Sequence, residues 1–488
     1  METIRVRKLN HANLHITCES GTAQELNEFF SFYVPGYKFM PAYRNRMWDG
    51  KIRLFTVMSG ELPAGLYEHL LQFAEQRSYQ IELDDSKYGK PDDYNKVDVK
   101  DLYEYIKGLK LPFDIRDYQF DAVSTGIHRK RGILLSPTGS GKSLIIYALV
   151  RYWLERLTTG YRYPQSGRAL IIVPTTSLVE QMYTDFIKYG CGERAMHRIY
   201  SGKDKKFEAA ICISTWQSIY KLPRDWYSQF GMVIGDECHG FKSKSLMSIM
   251  NKASEAEYRF GTTGTLDGAQ THELVLQGLF GKIYRVTTTK TLQDNNTLAS
   301  LTIKRIVLKY SEKIRKDFIV SNDKRNRFIR NLAVDLEGNT LILYNYVEKH
   351  GKPLYDLIDS KVNENRKVFF VSGGTATSDR EAIRAIVEKQ KDAIIVASLG
   401  TFSTGINIRN LHNIIFASPS KSQIRVLQSI GRGLRKTDDG KATTLYDISD
   451  DISWKTRKNY SLLHSFERLK IYQKEQFEYK TVELELKS

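Results

Sequence analysis

The stretch "GILLSPTGSGKSLIIYALV" (132–150) limits the fold more than any other part of this 488-residue chain. A short apolar run enters a loop of small residues, and a helical apolar pattern starts directly after it. Glycines in such a loop let backbone N–H groups face phosphate oxygens, and the N-terminus of the next helix adds a favourable dipole. The arrangement needs a strand behind the loop and a helix in front of it, which is the repeating unit of a parallel sheet. On that reading Pro137, Thr138, Gly139, Ser140 and Gly141 wrap phosphates, Lys142 reaches the terminal ones, and Ser143 ligates magnesium. Ser136 stands where the strict P-loop pattern has glycine.

Further apolar runs bounded by turn residues follow: "ALIIVP", "AAICIST" and "MVIGDE", then "TLILYNYV", "KVFFVSG", "AIIVAS" and "NIIFAS". They are short and rich in β-branched residues, and they read as strands buried on both faces with helices between them. Two successive α/β domains with parallel sheets are expected, over 106–295 and 296–455. Residues 1–105 alternate short strands and helices and form a small α+β domain, with a capping box expected at Thr22 and Glu25. Residues 84–96 read as a linker, and 456–488 as a C-terminal helical extension. No apolar run is long enough for a membrane helix, the N-terminus lacks a signal core, and four scattered cysteines suit a reducing, cytoplasmic setting.

"MVIGDECHG" (232–240) places an acidic pair at the end of a strand. In a nucleotide site at the top of a parallel sheet, Asp236 holds magnesium and Glu237 orients and deprotonates the attacking water. The competing reading is a metal site on Cys238 and His239. Neighbours on a strand point to opposite faces, and no second Cys/His pair lies nearby, so that reading is the weaker one. Near the C-terminus, "QSIGRGLR" (428–435) spaces Gln428, Arg432 and Arg435 so that several polar groups share one end of a helix. An arginine there can stabilise charge on a transferred phosphoryl group; read alone, the same pattern is a solvated basic helix face.

Together "SPTGSGKS" and "DECH" resemble the superfamily 2 helicases of the DEAD/DEAH-like kind, and the remaining segments of that family follow in order. The resemblance spans about 110–450 and implies two tandem RecA-like domains, ATP and Mg2+ as cofactors, and a nucleic-acid strand as partner. It implies adenine-side contacts for Arg116 and Gln119 in "RDYQ", and strand contacts for Pro174, Thr175 and Thr176 in "IIVPTTSLVEQ". Strand contacts are also implied for Thr215, Trp216 and Gln217 in "ISTWQS"; Trp216 is equally well read as a core residue. "GTTGT" brings Thr263, Gly264 and Thr265 as the link between ATP state and strand grip, with His239 as the partner in that communication. "ASLGTFSTGINI" brings Gly405 and Asn407 near the ribose, where Asn407 replaces a common acidic residue.

The first block narrows the family. "GYKFMPAYRNRMWDGKIRLF" (36–55) resembles the N-terminal domain of the UvsW-type helicases of T4-like phages, as do "WYSQFGM" and "FSTGI". That likeness implies recombination, replication and repair of DNA through remodelling of forks, Holliday junctions, D-loops and R-loops, the last containing an RNA–DNA hybrid. It also implies a monomer, with a recombination protein as the kind of partner it would meet. Read from the residues, Arg44, Arg46, Trp48, Lys51 and Arg53 mix phosphate-binding and base-stacking types with side chains able to form a small core. Alternation in "KIRLF" sets Ile52 and Leu54 against Lys51, Arg53 and Phe55.

The charge supports an anionic partner: +17 overall, with −1 over residues 1–110, +7 over 111–300 and +11 over 301–488. Two other functions share these features. One is an RNA helicase or restriction-type duplex translocase, and the other is a nucleic-acid annealing protein without a motor, against which the intact Lys142, Glu237, Arg432 and Arg435 argue.

Overall fold

The computed structural model describes residues 2–157, 167–266, 268–310, 319–403, 410–418, 422, 426, 430–431, 442–453 and 459–486. The chain divides into two compact units, one of Met1–Ser136 with Gly141–Val286 and the other of Pro137–Ser140 with Thr287–Ser488.

In the first unit, the N-terminal residues form a four-stranded sheet in the order Glu61–Pro63, Asn13–Thr17, Thr3–Lys8, Gln80–Leu83. Alternate residues Ile4, Val6, Leu14 and Ile16 are buried under the helices Ser20–Phe29 and Tyr67–Arg77, as a one-sided sheet requires. The expected capping box does not form. The first helix begins before Thr22, whose buried hydroxyl donates to Glu2, while Glu25 is drawn off into an ion pair with Arg77 at 2.6 Å. A separate antiparallel ribbon joins Ser31–Tyr33 to Lys51–Arg53. Because that strand stops at Arg53, the alternation expected through "KIRLF" breaks, and Phe55 is buried in the small core.

The rest of this unit is a seven-stranded, all-parallel sheet. Its order is Ile283–Arg285, Arg131–Leu135, Tyr258–Thr263, Phe230–Asp236, Arg168–Val173, Ile211–Thr215, Met196–Ile199. The central strands are buried on both faces, which is why they read as continuous apolar runs. The N-terminal sheet is docked at the edge where these strands begin. Arg131 donates to the His11 carbonyl at 2.9 Å, His11 N–H donates to the Ser254 carbonyl at 3.0 Å, and Glu68 pairs with Arg129 and Lys282. Leu274 of the helix Gln270–Phe280 completes the small domain's core.

The second unit holds another seven-stranded, all-parallel sheet, ordered Val368–Val371, Ile394–Ser398, Thr340–Tyr344, Asn413–Phe416, Thr443–Asp451, Leu301–Tyr310, Glu478–Leu486. Beyond the expected C-terminal helix, Tyr460–Lys474, the chain adds the exposed edge strand Glu478–Leu486. Two ion pairs are buried here, Arg325–Asp450 at 2.7 Å and Arg468–Asp447 at 2.6 Å. No helix among the described residues is long and apolar enough to cross a membrane.

Candidate active site

Parallel strands of the first unit bring five segments to one edge. Side by side there stand the ends of Arg131–Leu135, Tyr258–Thr263, Phe230–Asp236, Arg168–Val173 and Ile211–Thr215. Ser136 and residues 141–143 of the P-loop, the acidic pair, the "GTTGT" segment and both expected strand-contacting segments therefore share that edge.

At the end of its strand the chain turns sharply, because Glu237 adopts the left-handed conformation (φ 50°, ψ 48°). For a residue with a side chain this costs about 1–2 kcal/mol, and such outliers gather at functional sites. The kink separates four consecutive side chains. The buried Asp236 carboxylate accepts the Thr262 hydroxyl at 2.7 Å. Cys238 is fully buried against Gly261, where an added Cβ would stand 2.8 Å from its sulfur. Burial pushes the Cys238 thiol well above its ordinary range, the opposite of what a thiolate metal ligand needs. His239 turns instead to Thr263, with Nδ1 at 3.0 Å from the hydroxyl and 3.4 Å from Glu237 Oε2.

Thr263 is the junction of this group. Its hydroxyl lies 3.0 Å from His239 Nδ1, 3.4 Å from Glu237 Oε2 and 3.0 Å from the Thr265 carbonyl, with Gly264 forming the turn between. A hydroxyl has one proton, so it serves one acceptor at a time. Repositioning the Glu237 side chain would therefore change what His239 and Thr265 receive.

Electrostatics single out Asp236. Burial raises its carboxyl above the ordinary range, the neighbouring Glu237 raises it further, and Lys142 and the Thr262 hydroxyl offset part of the effect. Burial and the neighbouring carboxylate thus outweigh the positive charge that Lys142 supplies at Asp236. Hard oxygen donors from Ser143 and Asp236 suit a magnesium ion, and the added charge would relieve the crowded carboxylates.

In the P-loop, Lys142 Nζ donates to the Ser136 carbonyl at 3.2 Å and Ser140 Oγ to the Pro137 carbonyl at 2.7 Å. Pro137, Thr138 and Gly139 are half-buried. Gly141 needs its positive φ of 83°, and a Cβ there would meet Gln119 Nε2 at 2.3 Å, so the Gln119 amide reaches the loop. Arg116 does not follow it: its guanidinium is exposed and donates to the Tyr118 hydroxyl at 2.9 Å. Ser143 Oγ is 3.0 Å from the Tyr189 hydroxyl.

The expected strand-contacting residues form a second group on the same edge. Gln217 Nε2 donates to the Pro174 carbonyl at 3.2 Å, joining the two segments. Thr175 caps the helix Thr176–Lys188, Thr176 is exposed, and the Thr215 hydroxyl lies 2.9 Å from that of Ser218. Trp216 is half-buried, packed edge-on against Tyr220 over the hydrophobic core.

The N-terminal group divides. Trp48 donates to the Lys51 carbonyl at 2.8 Å, Lys51 lies over the Tyr33 ring, and Arg53 is paired with Asp49. Arg44 and Arg46 are exposed with no acidic partner among the described residues. They line a groove of about 640 Å³ with Lys38, Tyr43, Met47, Trp48 and Asp49, the last being the carboxylate paired with Arg53. Gly405, Asn407, Gln428, Arg432 and Arg435 lie outside the described residues.

Two residues of this site escaped the sequence reading. Thr262 was signalled by the parallel register, which sets it beside Asp236. Tyr189 meets Ser143 from 46 residues away, and nothing local in the sequence marks it.

Comparison with known proteins agrees with this fold. Residues 3–84 match the family described as DNA helicase UvsW, N-terminal; 112–268 match type III restriction enzyme, res subunit; 323–437 match the helicase conserved C-terminal domain. The chain is 36% identical over 517 residues to the ATP-dependent DNA helicase uvsW of Enterobacteria phage T4, covering 99% of this chain and 100% of that protein. It is 26% identical to the DNA 3'-5' translocase XPB2 of Sulfurisphaera tokodaii, over 68% of this chain and 80% of the other. The crystal structure of T4 UvsW superposes with a TM-score of 0.52 at 34% identity, covering 99% of this chain and all of that one.

Proposed function

Because the chain belongs to the UvsW family of superfamily 2 ATP-dependent DNA helicases, we propose that it uses ATP hydrolysis to remodel branched DNA in recombination, replication and repair, within the host-cell cytoplasm. Forks, Holliday junctions, D-loops and R-loops are the proposed substrates. One observation carries the step from helicase to branched substrates. The same compact unit holds two surfaces suited to nucleic acid: the group 174–176 with 215–217, and the basic, aromatic groove around Arg44, Arg46 and Trp48. A motor that only follows one strand needs the first surface alone, whereas a branch offers a second arm.

In this reading Lys142 balances charge on the terminal phosphates of ATP, and Glu237 takes a proton from the attacking water. Magnesium, held by Ser143 and Asp236, would neutralise charge on the phosphates. Gln119 and Arg116 are assigned to the adenine, Gly405 and Asn407 to the ribose side, and Gln428, Arg432 and Arg435 to the transferred phosphoryl group. The Thr263 hydroxyl carries the state of Glu237 to His239 and Thr265. The division of labour follows: 1–105 for branch recognition, 106–295 and 296–455 as motor domains, and a C-terminal extension from 456.

Steady-state ATPase at fixed salt, with single strands, linear duplex, fork, four-way junction and RNA, tests the substrate class. Forks and junctions should stimulate most. Equal stimulation by RNA, or by linear duplex, contradicts the branched-DNA reading. Glu237→Gln should bind ATP yet turn over on the order of 10²–10⁴-fold more slowly.

A further inference from the structure

The motor surface and the N-terminal domain lie at opposite edges of the first sheet, and a third feature joins them. The helix Lys244–Lys252 starts just after the turn Cys238–Lys242 that carries His239, and it packs against the short helix Trp216–Ile219. An open groove of about 460 Å³ runs beside it, lined by Arg224, Lys244, Met247, Ser248, Asn251 and Lys252. Positions 244, 248 and 251–252 recur at helical spacing, so they form one stripe.

Its lining residue Arg224 is hydrogen-bonded to a residue on which the N-terminal domain rests. Arg224 Nε donates to Ser254 Oγ at 3.3 Å, and the carbonyl of the same Ser254 receives the His11 N–H. Resting on the branched-DNA reading above, we infer that this groove is a second DNA-backbone site, which guides a duplex arm from the motor surface toward the N-terminal domain.

The lining contains three cations and no carboxylate. Lys252 is committed to the fold through the Tyr220 and Leu222 carbonyls, at 2.9 and 2.8 Å. Lys244 and Arg224 are exposed and have no acidic partner among the described residues, and Ser248 and Asn251 add neutral donors. No aromatic side chain lines the groove, in contrast to Tyr43 and Trp48 in the N-terminal one. Without a stacking surface it cannot hold unpaired bases; cations and short polar groups read phosphates. A nine-residue helix is roughly 13 Å long, which matches about four base pairs of duplex at 3.4 Å each.

The test compares the full chain with Arg224→Gln/Lys244→Gln, measuring affinity for a four-way junction and for a short oligo-dT over a salt series. Junction affinity should fall about tenfold, and its slope against log salt should shrink by roughly 2. Oligo-dT affinity, DNA-free ATPase and melting temperature should stay unchanged. The single variant Lys244→Glu, at an exposed position, should weaken the junction in the same way. An unchanged junction affinity, or an equal loss for oligo-dT, overturns the groove while leaving the motor reading intact. A wild-type chain that binds neither DNA overturns both.

Discussion

Two charged side chains on neighbouring strands of the first sheet are buried at opposite edges, and they are treated in opposite ways. Arg259 stands where its strand begins and is fully buried, with no carboxylate partner among the described residues. Its Nε, Nη1 and Nη2 donate to the carbonyls of Leu279, Ala253 and Met250, at 3.1, 2.7 and 2.7 Å. These carbonyls belong to the C-terminal ends of two helices, Lys244–Lys252 and Gln270–Phe280, so one cation caps both. Asp236, at the far end of the adjacent strand, is buried beside Glu237, whose carboxylate repels it and whose backbone is strained, and the Lys142 charge and the Thr262 hydroxyl offset only part of this. One edge is built to hold still and carries the docked N-terminal domain. At the other, burial and the neighbouring carboxylate disfavour the charge that Asp236 carries, as is common at functional sites.

Breaking the quiet edge should have the largest effect on stability. Arg259→Met keeps the stem but leaves three helix-end carbonyls without a donor, and should destabilise the first unit by about 3 kcal/mol. Thermal melting followed by a probe in that unit would show it, with loss of N-terminal domain docking in limited proteolysis. A neutral result would mean that the carbonyls find water and that the cap is not structural.

At the active edge a smaller change should separate two activities. His239→Ala removes a partner of Thr263 and the 3.4 Å contact to Glu237 but leaves both carboxylates in place, so DNA-stimulated ATPase should persist within a few-fold while strand separation is lost. Parallel loss of both activities would place His239 in the hydrolysis step itself.

The same contrast explains what the sequence made legible. Strands with purely apolar interiors, such as 168–173 and 230–236, announce themselves, and so does the P-loop between its strand and helix. Strands whose interiors carry buried charge do not. Tyr258–Thr263 contains Arg259, and Thr443–Asp451 contains Asp447 and Asp450, whose partners Arg468 and Arg325 lie 21 and 125 residues away. Polar residues satisfied only by distant chain break the pattern that marks a buried strand. The docking of the N-terminal domain was hidden for a related reason. It rests on backbone carbonyls of His11 and Ser254 and on the paired Glu68, none of which forms a motif. In the candidate site, Asp236, Glu237 and Lys142 stand out from the sequence patterns around them, while Thr262 and Tyr189 are brought beside them only by strand register and helix packing.

The contrast between the two edges is tested most directly by Asp236→Asn, with melting temperature and ATPase measured on the same preparation. Removing a charge that burial and Glu237 disfavour should stabilise the chain by about 1 kcal/mol, a rise of roughly 2–4 °C, while ATP hydrolysis disappears. A lower melting temperature would mean that Asp236 holds the fold together as Arg259 does, and retained hydrolysis would remove the acidic pair from the chemistry.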